Sequence, residues 1–266
     1  MKLLQGRRAL YLLLGMSGSL LAASGHALCA NVDTPDAGFT PKATLDSLFE
    51  VEGDAPFSRP YDGSLAFSAL ASRFSTANGH GYRNELKIAK QHRRTIEQTR
   101  EHFSALVTPT LPDGARTIVA QYHVEGLDTI LKVYVQDSGD SRALDGQPGN
   151  GVFDIVVRIL GSSGKEVATP LGKVRSGESF QLDVRFDNGV AVVSAATAAS
   201  GLRQTEPTRI KGDRRDIYFK FGDYAQALDP DTHRFTSDPA RWDAWFRQNH
   251  IDHDQVRFSH TRFVRE

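Results

Sequence analysis

From Gly63 onward the chain breaks into short apolar or alternating runs separated by turn signals, and that pattern points to a β-protein. The runs are 65–74, 82–89, 101–108, 117–123, 130–136, 153–160, 179–186, 190–196, 216–224 and 255–264. Between them lie Asn78-Gly79, Pro112-Asp113-Gly114, Pro148-Gly149-Asn150-Gly151 and Asp187-Asn188-Gly189. Asn-Gly between Phe186 and Val190 is a strong hairpin signal, because both turn positions need positive φ. Many short strands at this spacing predict an all-β sandwich or jelly roll. Helices are expected only near 44–49 and at 239–249, where Asp238 can cap and Trp242, Trp245 and Phe246 make an apolar stripe. Two long polar stretches, 137–150 and 197–215, read as loops flanking a groove and moving on binding.

The N-terminus is different. Lys2, Arg7 and Arg8 precede an apolar run from Ala9 to Ala23, and small residues follow, with cuts expected after Ala27 or Ala30. This is the pattern of a cleavable signal peptide over 1–30, which predicts a periplasmic or secreted protein with no membrane attachment after cleavage. Residues 31–60, broken by Pro35, Pro41, Pro56 and Pro60, read as a lead-in, and 61–266 as one domain. The whole chain has 32 basic and 32 acidic residues, and loss of Lys2, Arg7 and Arg8 leaves a net charge of −3. Such a balance argues against a nucleic-acid partner. Cys29 is the only cysteine, so no internal disulfide supports the fold. A monomer is expected.

Three polar clusters carry the chemistry: Tyr82-Arg83-Asn84-Glu85-Leu86-Lys87, Gln121-Tyr122-His123, and Tyr218-Phe219-Lys220-Phe221-Gly222-Asp223-Tyr224-Ala225-Gln226. Alternation sends Arg83, Glu85 and Lys87 to one sheet face, pairs Gln121 with His123, and aligns Tyr218, Lys220, Gly222, Tyr224 and Gln226. Taken singly, a row of charges is most often a solvated face and a lone histidine a structural one. Sharing one groove, they would supply cations for an anionic polymer, rings for sugars and a titratable imidazole. Gly222 in mid-strand marks close approach of a ligand or another backbone.

In order and spacing the clusters resemble the three signatures of polysaccharide lyase family 7, the alginate lyases, over about residues 60–264. The resemblance implies a β-jelly roll of two antiparallel sheets, whose concave face binds an anionic polysaccharide and cleaves it by β-elimination with no metal or other cofactor. It implies catalytic roles for Arg83, Gln121, His123 and Tyr224. Arg83 and Gln121 would neutralise the uronate carboxylate, His123 would take the C5 proton, and Tyr224 would protonate the leaving oxygen or serve as both base and acid. As a base, Tyr224 would need its pKa shifted by the cationic groove. Glu85, Lys87, Tyr218, Lys220 and Gln226 would bind substrate. The chain departs from the signatures at Asn84, Lys87, Tyr122 and Phe221; position 122 tracks substrate preference in that family. The substrate could therefore be alginate or another uronan such as glucuronan, and a non-catalytic carbohydrate-binding jelly roll is the alternative reading.

Other clusters are weaker. His250, Asp252, His253 and Asp254 match no standard metal spacing, and no metal site is expected. Asp229-Pro230-Asp231-Thr232 is only a fragment of a calcium loop. His92-Arg93-Arg94 reads as a surface turn, and Trp242 and Trp245 as packing residues.

Overall fold

The computed structural model describes residues 38–126 and 129–266. The expected leader and its cleavage sites lie outside these residues. The described residues belong to one compact unit. Among the described residues, two antiparallel sheets face each other. The first runs in the order β1 (Phe49–Glu52), β3 (Arg83–Ile88), β14 (Asp216–Ala225), β6 (Arg116–Val124), β7 (Thr129–Gln136), β8 (Val152–Leu160) and β9 (Glu166–Arg175), with the short β4 (Arg94–Thr95) also on β14. The second runs β12 (Gly201–Gln204), β11 (Val190–Thr197), β10 (Phe180–Asp187), β5 (Arg100–Thr110), β15 (Gln255–Arg265) and β2 (Leu65–Phe67), with β13 (Thr208–Arg209) on β11. Strands far apart in sequence are neighbours, as in the expected jelly roll.

Period-2 alternation builds the core between the sheets. Phe219 and Phe221 point inward from β14 and meet Phe103 of β5 at ring-centroid distances of 5.1 and 4.7 Å. Phe67 and Phe258 close over Phe221 at 5.9 and 5.4 Å. Each such fully buried ring contributes roughly 2–3 kcal/mol by area. The Asn188–Gly189 turn has φ of 47° and 78°, the mirror-image geometry that its sequence predicts. Helix α3 (Pro239–Gln248) is capped by Asp238, which accepts from the Ala240 N–H, and buries Trp242 completely.

Several expectations are corrected. Residues 49–52 are not lead-in but β1, an integral strand of the first sheet. The strand expected over 65–74 stops at Phe67, and α2 (Ala69–Ser72) follows, capped by Ser68. Strand β9 was not anticipated, because Pro170 and Gly172 interrupt its pattern; it lies at the sheet margin, where Pro is tolerated. The stretch 197–215 is not one continuous loop: within it β12 and β13 pair with β11 of the second sheet. Within 137–150 the backbone is tied down: Asp154 accepts from the Asp145 and Gly146 N–H groups, and Asp137 from Gly149.

Candidate active site

The face of the first sheet that points away from the core gathers all three clusters. On β14 the row Tyr218, Lys220, Gly222 and Tyr224 sits between β6 and β3. Tyr218 pairs with His123, Lys220 with both Gln121 and Lys87, Gly222 with Glu85, and Tyr224 with Arg83. Gly222 is required by the neighbouring strand rather than by a ligand. At its φ of 149°, a Cβ would lie 2.3 Å from the Asn84 carbonyl oxygen and 2.7 Å from the Glu85 Cα.

The side chains connect across these pairs. Gln121 donates through Nε2 to Glu85 Oε1 at 2.5 Å, and its Oε1 lies 3.0 Å from His123 Nε2. Thr129 Oγ1 is 3.1 Å from the same imidazole nitrogen. The His123 ring stacks on Tyr218 at 5.4 Å with 8° between planes. Burial first, then the charges of Lys220, Arg83 and Lys132, hold His123 well below the usual imidazole pKa, against the pull of Glu52. A neutral imidazole is the form able to accept a proton.

Tyr224 is held from both sides. The Arg83 guanidinium carbon lies 3.9 Å from its ring centroid, and the His80 backbone N–H donates to its phenolic oxygen at 2.7 Å. Both contacts favour negative charge on that oxygen, the charge left after it gives up its proton. Behind the strand, Thr117 Oγ1 accepts from the Tyr224 N–H and donates to Asp223. Asp223 is fully buried in the core, and burial together with Asp254 pushes its pKa well up.

Three cations of the face, Arg83, Lys87 and Lys220, are already partnered. Glu52 of β1 accepts from Lys220 at 2.6 Å and from Lys87 at 2.7 Å, and its carboxylate lies 3.7 Å from Arg83. Burial alone would push Glu52 up, but Lys220 and Lys87 outweigh it and hold the pKa at about 2. Glu85 stands 3.5 Å from Arg83 and 3.6 Å from Lys220 and is fully buried, so it braces these side chains rather than facing a polymer. Lys87 also pairs with Glu50 at 2.5 Å. Lys220 is 3% exposed, and burial lowers its pKa against the pull of Glu85 and Glu52.

Glu52 and Arg93 escaped the sequence reading. The Glu50-x-Glu52 alternation was the available signal for Glu52, hidden by a helix expected to reach 49. Arg93 is no surface residue: its side chain is 10% exposed and its guanidinium carbon lies 4.2 Å over the Tyr218 ring, which also stacks with His123. Gln226 follows β14, is buried, and has no partner for Nε2. Asn84, Tyr122 and Phe221, three of the four departures from the signatures, are buried positions that alternate with the face residues. Tyr122 is 1% exposed, donates to Glu101 at 2.8 Å and touches no part of the groove. Near the C-terminus, Asp254 turns inward to Ser68 and the Leu70 N–H, and no three-residue metal cluster exists among the described residues. Asp229 and Asp231 pair with Arg241.

Comparison with known proteins agrees with this architecture. A family model described as alginate lyase matches residues 32–262. A solved polysaccharide lyase of family 18, aly-SJ02 r-CATD, is 34% identical with a TM-score of 0.76, over 84% of this chain and 96% of that one. The alginate lyase from Alteromonas sp. 272 is 33% identical with a TM-score of 0.77, over 86% and 99%. The exolytic family 7 alginate lyase of Zobellia galactanivorans shares the fold at 11% identity and a TM-score of 0.55, over 83% and 88%. No curated protein sequence matches the chain.

Proposed function

The chain belongs to the alginate lyase family, and from that premise we propose that it is a secreted enzyme cleaving alginate by β-elimination at Arg83, Gln121, His123 and Tyr224. It is a polysaccharide lyase acting on an anionic polyuronate. The observation that carries the site assignment is the convergence of these four side chains on one face, with His123 bonded to Gln121 and Tyr224 under Arg83.

Arg83 and the Gln121 amide hold the carboxylate of the sugar to be cleaved, drawing charge away from C5 and stabilising the enolate that forms when the proton leaves. His123, kept neutral by its surroundings, takes the C5 proton where that proton faces it. Electrons of the C5–H bond become the C4=C5 double bond, and the C4–O bond breaks. The departing glycosidic oxygen receives a proton from Tyr224. Where proton and leaving group lie on the same side of the ring, Tyr224 performs both transfers. Nothing is oxidised or reduced, and no water is consumed. Lys87, Lys220, Tyr218 and Gln226 contact the sugars on either side, and Glu85 and Glu52 position the cations.

No helix among the described residues is long and apolar enough to cross a membrane. Secretion rests on the leader pattern of 1–30 and is checked by the mass of the mature protein, which should begin at Leu28 or Asn31. The activity is tested by incubating that protein with mannuronate and guluronate blocks, glucuronan and heparin-like polymers and following ultraviolet absorbance of the unsaturated product. Absorbance rising only with alginate supports the assignment. Absorbance rising with glucuronan alone would replace the substrate, and binding without cleavage of any uronan would overturn the mechanism.

A further inference from the structure

Among the cations on the open face, Arg116 stands apart. Lys87 and Lys220 meet Glu52, and Lys132 and Arg158 meet Glu166 at 2.8 and 3.4 Å. Glu166, engaged by Lys132 and Arg158, reaches Arg116 only at longer range, and the Arg116 Nε is buried without a hydrogen-bond partner. Burial first, then the neighbouring Arg158 charge, lowers its pKa, against the pull of Tyr134 and Glu166. A largely desolvated guanidinium whose nearest carboxylate is shared with two other cations is under-compensated, and a further carboxylate would stabilise it.

Its surroundings suit a sugar acid. Ile118, Tyr134, Val156 and Tyr224 form an apolar patch separate from the inter-sheet core, and Arg116 lies two residues before Ile118 on the same face. The Arg116 guanidinium carbon sits 4.4 Å from the Tyr134 ring centroid and 5.8 Å from that of Phe235, and Arg158 is 5.3 Å from Tyr134. Phe235 is 47% exposed and stacks on His80, whose N–H holds the Tyr224 oxygen. Two further donors here lack partners, Arg158 Nε and Gln226 Nε2, and the Gln226 N–H bonds to the Arg116 carbonyl. Along β14 the order is Lys220 beside Gln121, then Tyr224, then Gln226 beside Arg116. Two residues of strand put the Arg116 row about 7 Å beyond Tyr224, the scale of one sugar ring.

We infer that Arg116, with Arg158, Tyr134 and Phe235, forms a second carboxylate-binding position for the uronate on the leaving-group side of Tyr224. This rests on the lyase reading above. The sugar that departs with the glycosidic oxygen places its ring against Phe235 and Tyr134 and its carboxylate on Arg116.

The test is calorimetric titration of a uronate tetramer into the Tyr224→Phe protein, where the substrate stays intact, together with steady-state kinetics in the otherwise unchanged enzyme. Arg116→Gln should weaken tetramer binding by roughly 10–100-fold, the loss of one charge-assisted contact. In turnover the loss should fall on KM, with kcat changed by less than about threefold. Arg116→Lys should recover part of the affinity. Phe235→Ala, at an exposed position that leaves folding intact, should cost roughly 2–10-fold in binding. Unaltered tetramer affinity in both Arg116→Gln and Phe235→Ala would overturn the second position alone. A Tyr224→Phe protein that binds no uronate would overturn the lyase reading and this inference together.

Discussion

Glu52 is the structural keystone of the candidate site, and its removal has a calculable cost. Its carboxylate holds Lys220 and Lys87 at 2.6 and 2.7 Å, and its pKa falls from an ordinary 4.5 to about 2. At 1.36 kcal/mol per pH unit this difference is about 3 kcal/mol of folding stability at neutral pH. Loss of one partner of a buried ion pair falls in the same range. Because the folded-state pKa is depressed, the contribution is complete above about pH 4.5 and is lost as pH falls toward 2. Glu52→Gln should therefore lower unfolding free energy by about 3 kcal/mol at pH 7, with the gap to the parent closing between pH 4.5 and 2. Urea unfolding of both proteins across that range measures it, and subtraction removes the other carboxylates common to both. A gap below about 0.5 kcal/mol at pH 7, or one that does not change with pH, would refute the reasoning.

Tyr224→Phe keeps the ring over which Arg83 stacks and should cut kcat by about 10²–10⁴-fold on every polymer the parent cleaves, with little change in KM; near-parental turnover would remove Tyr224 from the mechanism. His123→Gln should be that severe only on linkages where His123 is the base, read from rates on guluronate and mannuronate blocks. Since the His123 pKa lies below its usual value, the parent's kcat/KM on guluronate blocks should show no loss of the base form on going from pH 8 to 6.5; an inflection near 6.5 that vanishes in His123→Gln would contradict the burial argument. Gly222→Ala forces a Cβ against the Asn84 carbonyl and should destabilise by at least about 3 kcal/mol, measured by denaturant midpoint.

Sheet alternation grouped the residues of each polar cluster before the fold was known, and the family resemblance joined the clusters into one candidate site. Arg83 could be grouped with Glu85 and Lys87, Gln121 with His123, and Lys220 with Tyr224, because the side-chain period of a strand is local information; that the three groups share one face is set by the pairing of β14 with β3 and β6. The same rule explains why Asn84, Tyr122 and Phe221 could differ from the family signatures: these positions fill the interior, where size and neighbours matter more than chemistry toward a ligand. For Glu52 the local Glu50-x-Glu52 alternation gave only a faint signal, because its importance comes from the pairing of β1 with β3 and from partners 35 residues away at Lys87 and 168 away at Lys220. Arg93 was hidden for a related reason, since only tertiary packing lays a guanidinium from a polar turn over Tyr218. Strand β9 was missed because a margin strand tolerates the Pro and Gly that otherwise signal a loop. The stretch 197–215 shows the converse: an exposed, polar strand such as β12 carries no hydrophobic signature to find.

Tyr122 gives the enzyme a second route to change. It lies between Gln121 and His123 in sequence yet anchors to Glu101, with its ring 4.7 Å from Phe186 and 4.9 Å from Phe219. A substitution there adds or removes volume behind the strand that carries the amide and the imidazole. Tight packing transmits such a change as a small shift of the backbone, and the distance from His123 to a sugar proton shifts with it. Linkage preference can thus drift across generations through interior residues that never meet the polymer, while every group that touches it stays the same.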